Sequence, residues 1–523
     1  MSANPSLRQS GLALWQRIEH GLDAFFGASG NPLRHLGALG FYFLWIALAT
    51  GVYLFIVLDT GVEDIHTSIQ YYTHEQWWLG GILRSLHRYA ADGLVLVMLL
   101  HIVREFLYGR YHGFRWFSWV TGVPVLWLVY ASGIGGYWLV WDQLGQFSAI
   151  ASAEWFDWLP VFREPAARNF LTPGALGDRF FSLLVFLHIG IPLLLLLALW
   201  VHIQRVAHSD VFPSRVLALG MFVTLLALSL VKPTVSHGKA DLSMVPVLLD
   251  IDWYYLFAHP LMYLTSPGAL WGMAAAFTLL LLALPLLPHP KQPPIAVVHP
   301  PNCNGCRRCF VDCPYDAIDM LPHPDKPGHQ LARVIPELCA SCGICAGACP
   351  SSTPFRSVET LVTGIDMPQQ PVGALREEME RRIAALDGPV KIAVFGCACA
   401  ADAARLEDRS TAVLDLMCTG LLPPSFVEYA LRGGADGVLV TGCREGSCAY
   451  RLGTRWTEER LTGRREPYLR PTVPAERLRI AWADGHELSQ LKAELAHFHQ
   501  TLLSLAADEK RPRAYTPRRI QHG

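Results

Sequence analysis

Over the first 290 positions apolar residues come in long blocks, and beyond them in short runs separated by charge. The blocks fall at about 36–58, 81–108, 115–141, 180–203, 215–231 and 265–288, each of a length that crosses a bilayer core of about 30 Å as a helix. Six membrane spans are expected. The loops after the second and fourth carry Arg110, Arg115, Arg205 and Arg215, whereas those after the first, third and fifth are acidic, with Asp59, Glu63, Glu154 and Asp241 among them. Positive charge marks the cytoplasmic side, so the protein is expected to be multi-pass in the cell inner membrane with both termini in the cytoplasm. Residues 1–30, with LALWQRIEHGLDAFF, read as an amphipathic helix on the membrane surface, too interrupted by charge for a signal peptide.

Beyond a proline-rich linker, KQPPIAVVHPPN, the pattern is that of water-soluble domains. Short apolar strands at 390–395, 411–416, 436–441 and 477–482 alternate with helix-like stretches, which predicts a parallel sheet with covering helices. The fold class expected is multidomain: an α-helical membrane bundle over 31–290, an α+β domain over 291–360, a linker helix over 361–387, and an α/β parallel-sheet domain over 388–508. A basic tail follows at 509–523, suited to anionic lipid or an acidic partner. Composition agrees with this division. Hydrophobic residues make up 52% of the 523 and mean hydropathy is +0.27, too apolar for a wholly soluble protein. A net charge of −1 gives no general attraction to nucleic acid.

Two of the apolar blocks each hold a pair of histidines with thirteen residues between them, His87 and His101, then His188 and His202. In a helix that interval is about 21 Å of rise and almost four turns, so both imidazoles face one way, one near each side of the bilayer. Polar side chains at membrane depth are costly without a function. Two such helices facing each other can grip two stacked haems, His87 with His188 near the outer side and His101 with His202 near the inner. Gly37 and Gly51, then Gly122 and Gly136, repeat the interval on neighbouring blocks, where a missing side chain makes room for a macrocycle. No C-x-x-C-H occurs, so the haems are expected to be b-type.

Here the chain resembles the cytochrome b of respiratory and photosynthetic bc complexes, over about residues 31–258. Arg84, Arg104 and Pro192 add to the likeness, as do GYWLVWDQLGQFSA (136–149), with Val140 and Asp142 for the family's proline and glycine, and DWYYLFA (252–258), with Asp252 for glutamate. The resemblance implies that Arg84 and Arg104 meet haem propionates, the pairing expected of guanidinium and carboxylate. It departs where Arg179 sits about one turn too early. Asp252, with Trp253 and Tyr254 and then Tyr255 around it, is a candidate quinone site in which a carboxylate takes a quinol proton. A cytoplasmic-side site near His208 and Asp210 is a weaker candidate.

All thirteen cysteines lie after residue 300, at metal-ligand spacings that call for reduced thiols. Two runs of C-x2-C-x2-C-x3-C-P resemble bacterial ferredoxins with two [4Fe-4S] clusters. That resemblance implies crossed ligation: Cys303, Cys306, Cys309 and Cys349 on one cluster, Cys339, Cys342, Cys345 and Cys313 on the other. Cys397, Cys399, Cys418, Cys443 and Cys448 fall just past three strands, where loops of an open α/β sheet gather ligands. MCTGLLPPSFVEYALRGGADGVLVTGCREGSCAYRLGT (417–454) resembles the delta subunit of methyl-viologen-reducing hydrogenases. This implies one [2Fe-2S] cluster held by four of the five cysteines, and a flavoprotein partner resembling the A subunit of heterodisulfide reductase.

The sequence therefore predicts a membrane-bound electron-transfer subunit. It would carry electrons between a cytoplasmic flavoprotein or dehydrogenase, of hydrogenase or formate dehydrogenase type, and the quinone pool, by default toward quinone. Membrane lipid and quinone or quinol are its other partners. A homodimer is left open. The competing expectation is a haem-containing membrane anchor for a cytoplasmic redox complex, without quinone chemistry of its own.

Overall fold

The computed structural model describes residues 7–160, 165, 171–172, 176–288, 294–356 and 360–509. The start of the proline-rich linker, Glu164 and nearly all of the basic tail lie outside them. The chain divides into two units, Met1–Pro290 and Lys291–Gly523.

In the first unit every apolar block is helical. The helices are α1 (Leu7–Phe26), α2 (Leu36–Val57), α3 (Ile65–His74), α4 (Ile82–Leu107), α5 (Trp116–Val140), α6 (Gln143–Asp157), α7 (Asp178–Ile203), α8 (Arg215–Val231), α9 (Ala258–Leu264) and α10 (Pro267–Ala283). Among the described residues four helical stretches are long and apolar enough to cross a membrane: Pro32–Val57, Gly113–Val140, Asp178–Ile203 and Pro267–Leu286. α4 matches them in length but carries Arg84, Arg88, Asp92, Arg104 and Glu105, and α8 is shorter, at 17 residues. α2 lies along α4, and α5 along α7. Local chemistry fixes several ends. α5 stops where Trp141 turns left-handed, and α6 starts on Asp142, whose carboxylate accepts from Gly145 N at 2.8 Å. The aspartate that replaces a family glycine thus caps a helix, and its second oxygen accepts from His237 N at 2.9 Å.

α1 is held through its acidic residues. Glu19 is fully buried and takes bonds from Arg104 Nε and Trp15 Nε1, both at 2.8 Å, and from the Tyr108 hydroxyl at 2.9 Å. Asp23 pairs with Arg34 at 2.6 Å. This polar face docks the helix, while Leu14, Ile18 and Phe25 stay exposed.

The second unit is sheet-containing. Its first part has antiparallel pairs β1 (Val297–Val298) with β4 (Ile365–Asp366) and β2 (Ile318–Pro322) with β3 (Gln330–Val334), and two short helices, α11 (Arg308–Asp312) and α12 (Ile344–Ala348). Helix α13 (Val372–Ala384) leads into a four-stranded parallel sheet of order β6-β5-β7-β8, made of β5 (Ile392–Cys397), β6 (Thr411–Leu416), β7 (Gly437–Gly442) and β8 (Leu478–Trp482). α14 (Ser425–Arg432), α15 (Gly453–Leu461) and α16 (Leu488–Glu509) complete it. α13 is no mere linker: it buries Leu375, Met379 and Ile383, a stripe at intervals of four beneath a charged exterior.

Candidate redox centres

In the membrane unit each of the four glycines faces one of the four histidines. A Cβ on Gly136 would lie 3.0 Å from His188 Cε1, on Gly51 3.1 Å from His87 Cε1, on Gly122 3.2 Å from His202 Cε1, and on Gly37 3.8 Å from His101 Cε1. The glycines thus open space for the imidazoles themselves, which settle against bare helix backbone. From there His87 Nδ1 donates to the Ala47 carbonyl at 2.8 Å and lies 3.2 Å from Thr50 Oγ1. His188 Nδ1 donates to the Ser132 carbonyl at 3.1 Å. His202 bonds the Ser118 backbone and has Thr121 Oγ1 at 3.3 Å. Each carbonyl stands four residues before the glycine that the ring rests on. A carbonyl only accepts, so Nδ1 carries the proton and Nε2 keeps a lone pair for a metal. The rings of His87 and His188 stand 6.3 Å apart between centroids, at 65°. At this separation the two rings could hold one metal ion between them.

The two arginines differ. Arg104 is spent on Glu19 and stacks on Tyr108, 4.8 Å from the ring centroid. Arg84 is buried, and its hydrogen bonds go to the hydroxyls of Thr73 at 2.7 Å and Ser236 at 2.8 Å. A buried guanidinium with hydroxyl partners suits an added anion, since buried charge is ordinarily paired.

Asp252 is buried. One oxygen accepts from the Arg88 guanidinium and the Tyr137 hydroxyl. The other accepts from Tyr254 N at 2.6 Å and Tyr255 N at 3.3 Å. Arg88, the residue after the histidine ligand candidate, also pairs with Asp92 at 3.1 Å and lies over the Tyr137 ring. Of the aromatic walls expected, Tyr255 is buried, whereas Trp253 and Tyr254 face outward, 68% and 47% exposed. Arg88 and Asp92 have no local sequence signal, whereas Tyr137 lies within the segment GYWLVWDQLGQFSA. His208, beside the second candidate site with Asp210, is left-handed.

In the second unit Cys303, Cys306, Cys309 and Cys349 line one pocket, and Cys313, Cys339, Cys342 and Cys345 line another. Burial pushes the Cys309 thiol up to about 12 and Cys313 up to about 11. Thiols this reluctant to ionise alone become ligands when a metal takes the place of the proton. Among the described residues no three His, Cys, Asp or Glu are disposed to hold a single metal ion. Four cysteines about one cavity, twice over, are the donor sets that two iron-sulfur clusters would take. At the carboxyl ends of β5, β6 and β7, Cys397, Cys418, Cys443 and Cys448 are buried together, while Cys399 is exposed and touches Cys397.

A helical membrane region joined to sheet-containing cysteine domains defines a membrane electron-transfer subunit. Three family models match in order along the chain: cytochrome b/b6/petB at residues 31–209, a 4Fe-4S dicluster domain at 302–353, and the methyl-viologen-reducing hydrogenase delta subunit at 393–506. Together they show a fusion of these three kinds of segment. A solved structure titled "Hyperthermophilic respiratory Complex III" is similar at 18% identity and a TM-score of 0.41, covering 54% of this chain and 83% of that one.

Proposed function

We propose that this subunit links a cytoplasmic flavoprotein or dehydrogenase to the membrane quinone pool, from an inner membrane that it crosses six times. The observation that carries the reading is the set of four histidines, each seated on its own glycine at matched intervals along two pairs of helices. When bound, the haems and iron-sulfur clusters supply one-electron carriage. His87 with His188, and His101 with His202, would hold two b haems, and Arg84 is the arginine best suited to a propionate. The two ferredoxin-like cysteine sets would each hold a [4Fe-4S] cluster. Cys397, Cys418, Cys443 and Cys448, the buried four, would hold the [2Fe-2S] cluster. Iron, sulfide and haem content of the anaerobically purified protein test this directly. Cys399→Ser is expected to keep the [2Fe-2S] electron paramagnetic resonance (EPR) signal, and Cys418→Ser to lose it; equal loss in both would contradict the assignment.

Asp252 is the proposed proton acceptor for quinol. Arg88, Tyr137 and the two backbone N–H groups hold it in place. Asp252→Asn is expected to lower the quinol-linked rate about 100-fold, at the lower end of general-base effects, with haem content unchanged. Stopped-flow haem reduction by quinol reads this out. The anchor reading has one observation in its favour: the Asp252 carboxylate is already satisfied by Arg88 and Tyr137, as in a purely structural ion pair. Under that reading the asparagine variant changes little.

A further inference from the structure

The ferredoxin-like part and the α/β part meet within one unit, and their meeting favours one of the two cysteine pockets. The segment Cys342 to Gly347, with two cysteines of the second set, lies directly on Cys418 to Leu421. A Cβ on Gly347 would fall 2.1 Å from the Gly420 carbonyl oxygen, one on Gly420 2.5 Å from Ile344 Cγ1, and one on Gly343 2.5 Å from Leu421 Cδ1. Such distances are open only to glycine. Tyr450 sits at the junction: it packs against Cys342, Ile344, Leu452 and Trp456 on one side and against Cys397, Cys418, Cys443 and Cys448 on the other.

Side chains from both parts pin this contact. Arg460 is fully buried and bonds Asp312 at 2.5 Å, the Gly420 carbonyl at 3.0 Å and the Ile344 carbonyl at 3.4 Å. Trp456 Nε1 donates to the Asp312 carbonyl at 3.2 Å, and Arg451 to the Pro314 carbonyl at 3.2 Å. The first set has other surroundings. Both pockets are lined by residues of the ferredoxin-like part, but Cys306 of the first set is exposed, and the bond from its neighbour Arg308 to Glu466 is a surface ion pair.

We propose that the second set, Cys339, Cys342, Cys345 and Cys313, is the electron-exchange neighbour of the α/β cysteine centre, with Tyr450 as the positioning residue between them. The first set is then the outlying end of the line. The inference rests on the [2Fe-2S] reading above. Electron exchange falls steeply with separation, so adjacency decides order; each exchange moves one electron from the reduced centre to the oxidised one, with no bond made or broken.

The test uses the full-length protein, purified without oxygen, and follows the [2Fe-2S] EPR signal as the [4Fe-4S] clusters are reduced. Cys339→Ser and Cys306→Ser each replace the most accessible ligand of one set. The broadening of the [2Fe-2S] signal on reduction of its neighbour is expected to be lost or altered in Cys339→Ser and unchanged in Cys306→Ser. The reverse pattern, or no change in either, overturns the proposed order. Tyr450→Ala is expected to weaken the broadening with both signal intensities retained, and Tyr450→Phe to restore it. Unchanged broadening in the alanine variant overturns the positioning role. Absence of any [2Fe-2S] signal in the unaltered protein overturns the parent reading and this inference together, whereas a signal that tracks Cys306 overturns the inference alone.

Discussion

Valine in place of Gly136 is expected to remove the outer haem and leave the inner one, halving haem content per chain. The first added carbon already comes within 3.0 Å of the His188 ring, closer than carbon atoms pack at their optimal separation of about 3.5–4.0 Å. Two further methyls push the imidazole off the backbone and break its bond to the Ser132 carbonyl. Without that bond the ring loses both its orientation and the tautomer that presents Nε2. Gly135 is the internal control, because a Cβ there meets nothing within 4 Å, so Gly135→Val should keep both haems. Gly37→Ala should also keep both, given 3.8 Å of room. Haem extraction and reduced-minus-oxidised spectra read all three; a full complement of haem in Gly136→Val would contradict the seat.

Arg460→Leu is expected to be the most destabilising substitution in the iron-sulfur unit, by about 3–5 kcal/mol, as when one partner of a buried ion pair is removed. Asp312 would keep Arg465 at 2.8 Å, which places the loss toward the lower end. Two buried carbonyls, of Gly420 and Ile344, would also lose a donor. The double variant Arg460→Leu, Asp312→Leu should recover much of the loss, since a buried pair replaced by apolar side chains is often near neutral. Denaturant midpoints of the cluster absorbance in the full chain measure both. Equal midpoints for Arg460→Leu and the unaltered protein would contradict the structural role.

The parts of the molecule legible in the sequence are those written as spacing. Histidines and glycines at one interval marked the apolar blocks, which the structure pairs as α2 with α4 and α5 with α7, and strand ends at Cys397, Cys418 and Cys443 marked where sulfurs converge. A further local sign was available: Thr50 and Thr121 immediately precede Gly51 and Gly122, and both hydroxyls reach a histidine. The apolar stripe of α13 was likewise present at intervals of four, masked by six charges around it. What was not legible joins distant residues. Arg88 meets Asp252 across 164 positions, Glu19 meets Arg104 across 85, and Asp312 meets Arg460 across 148. No periodicity links such partners, because a buried charge is selected by whatever the fold brings opposite it. For the same reason no local pattern joins Arg104 to Glu19.

These ion pairs also bear on function. Arg88 is covalently next to His87 and bonded to Asp252, so the proposed quinol carboxylate and the outer imidazole pair are one short chain of contacts. The carboxylate can serve a quinol only if it can leave Arg88 or share it. A structural pair would do neither, and this is where the two readings of the protein divide.

The decisive measurement is a single reoxidation experiment. The intact protein, purified without oxygen and reduced stoichiometrically, is mixed with a soluble quinone while haem and iron-sulfur absorbance are followed in time. The haems are expected to reoxidise within a turnover time, with the clusters following. Haems that stay reduced in the presence of quinone would contradict the quinone link and leave the protein as an anchor.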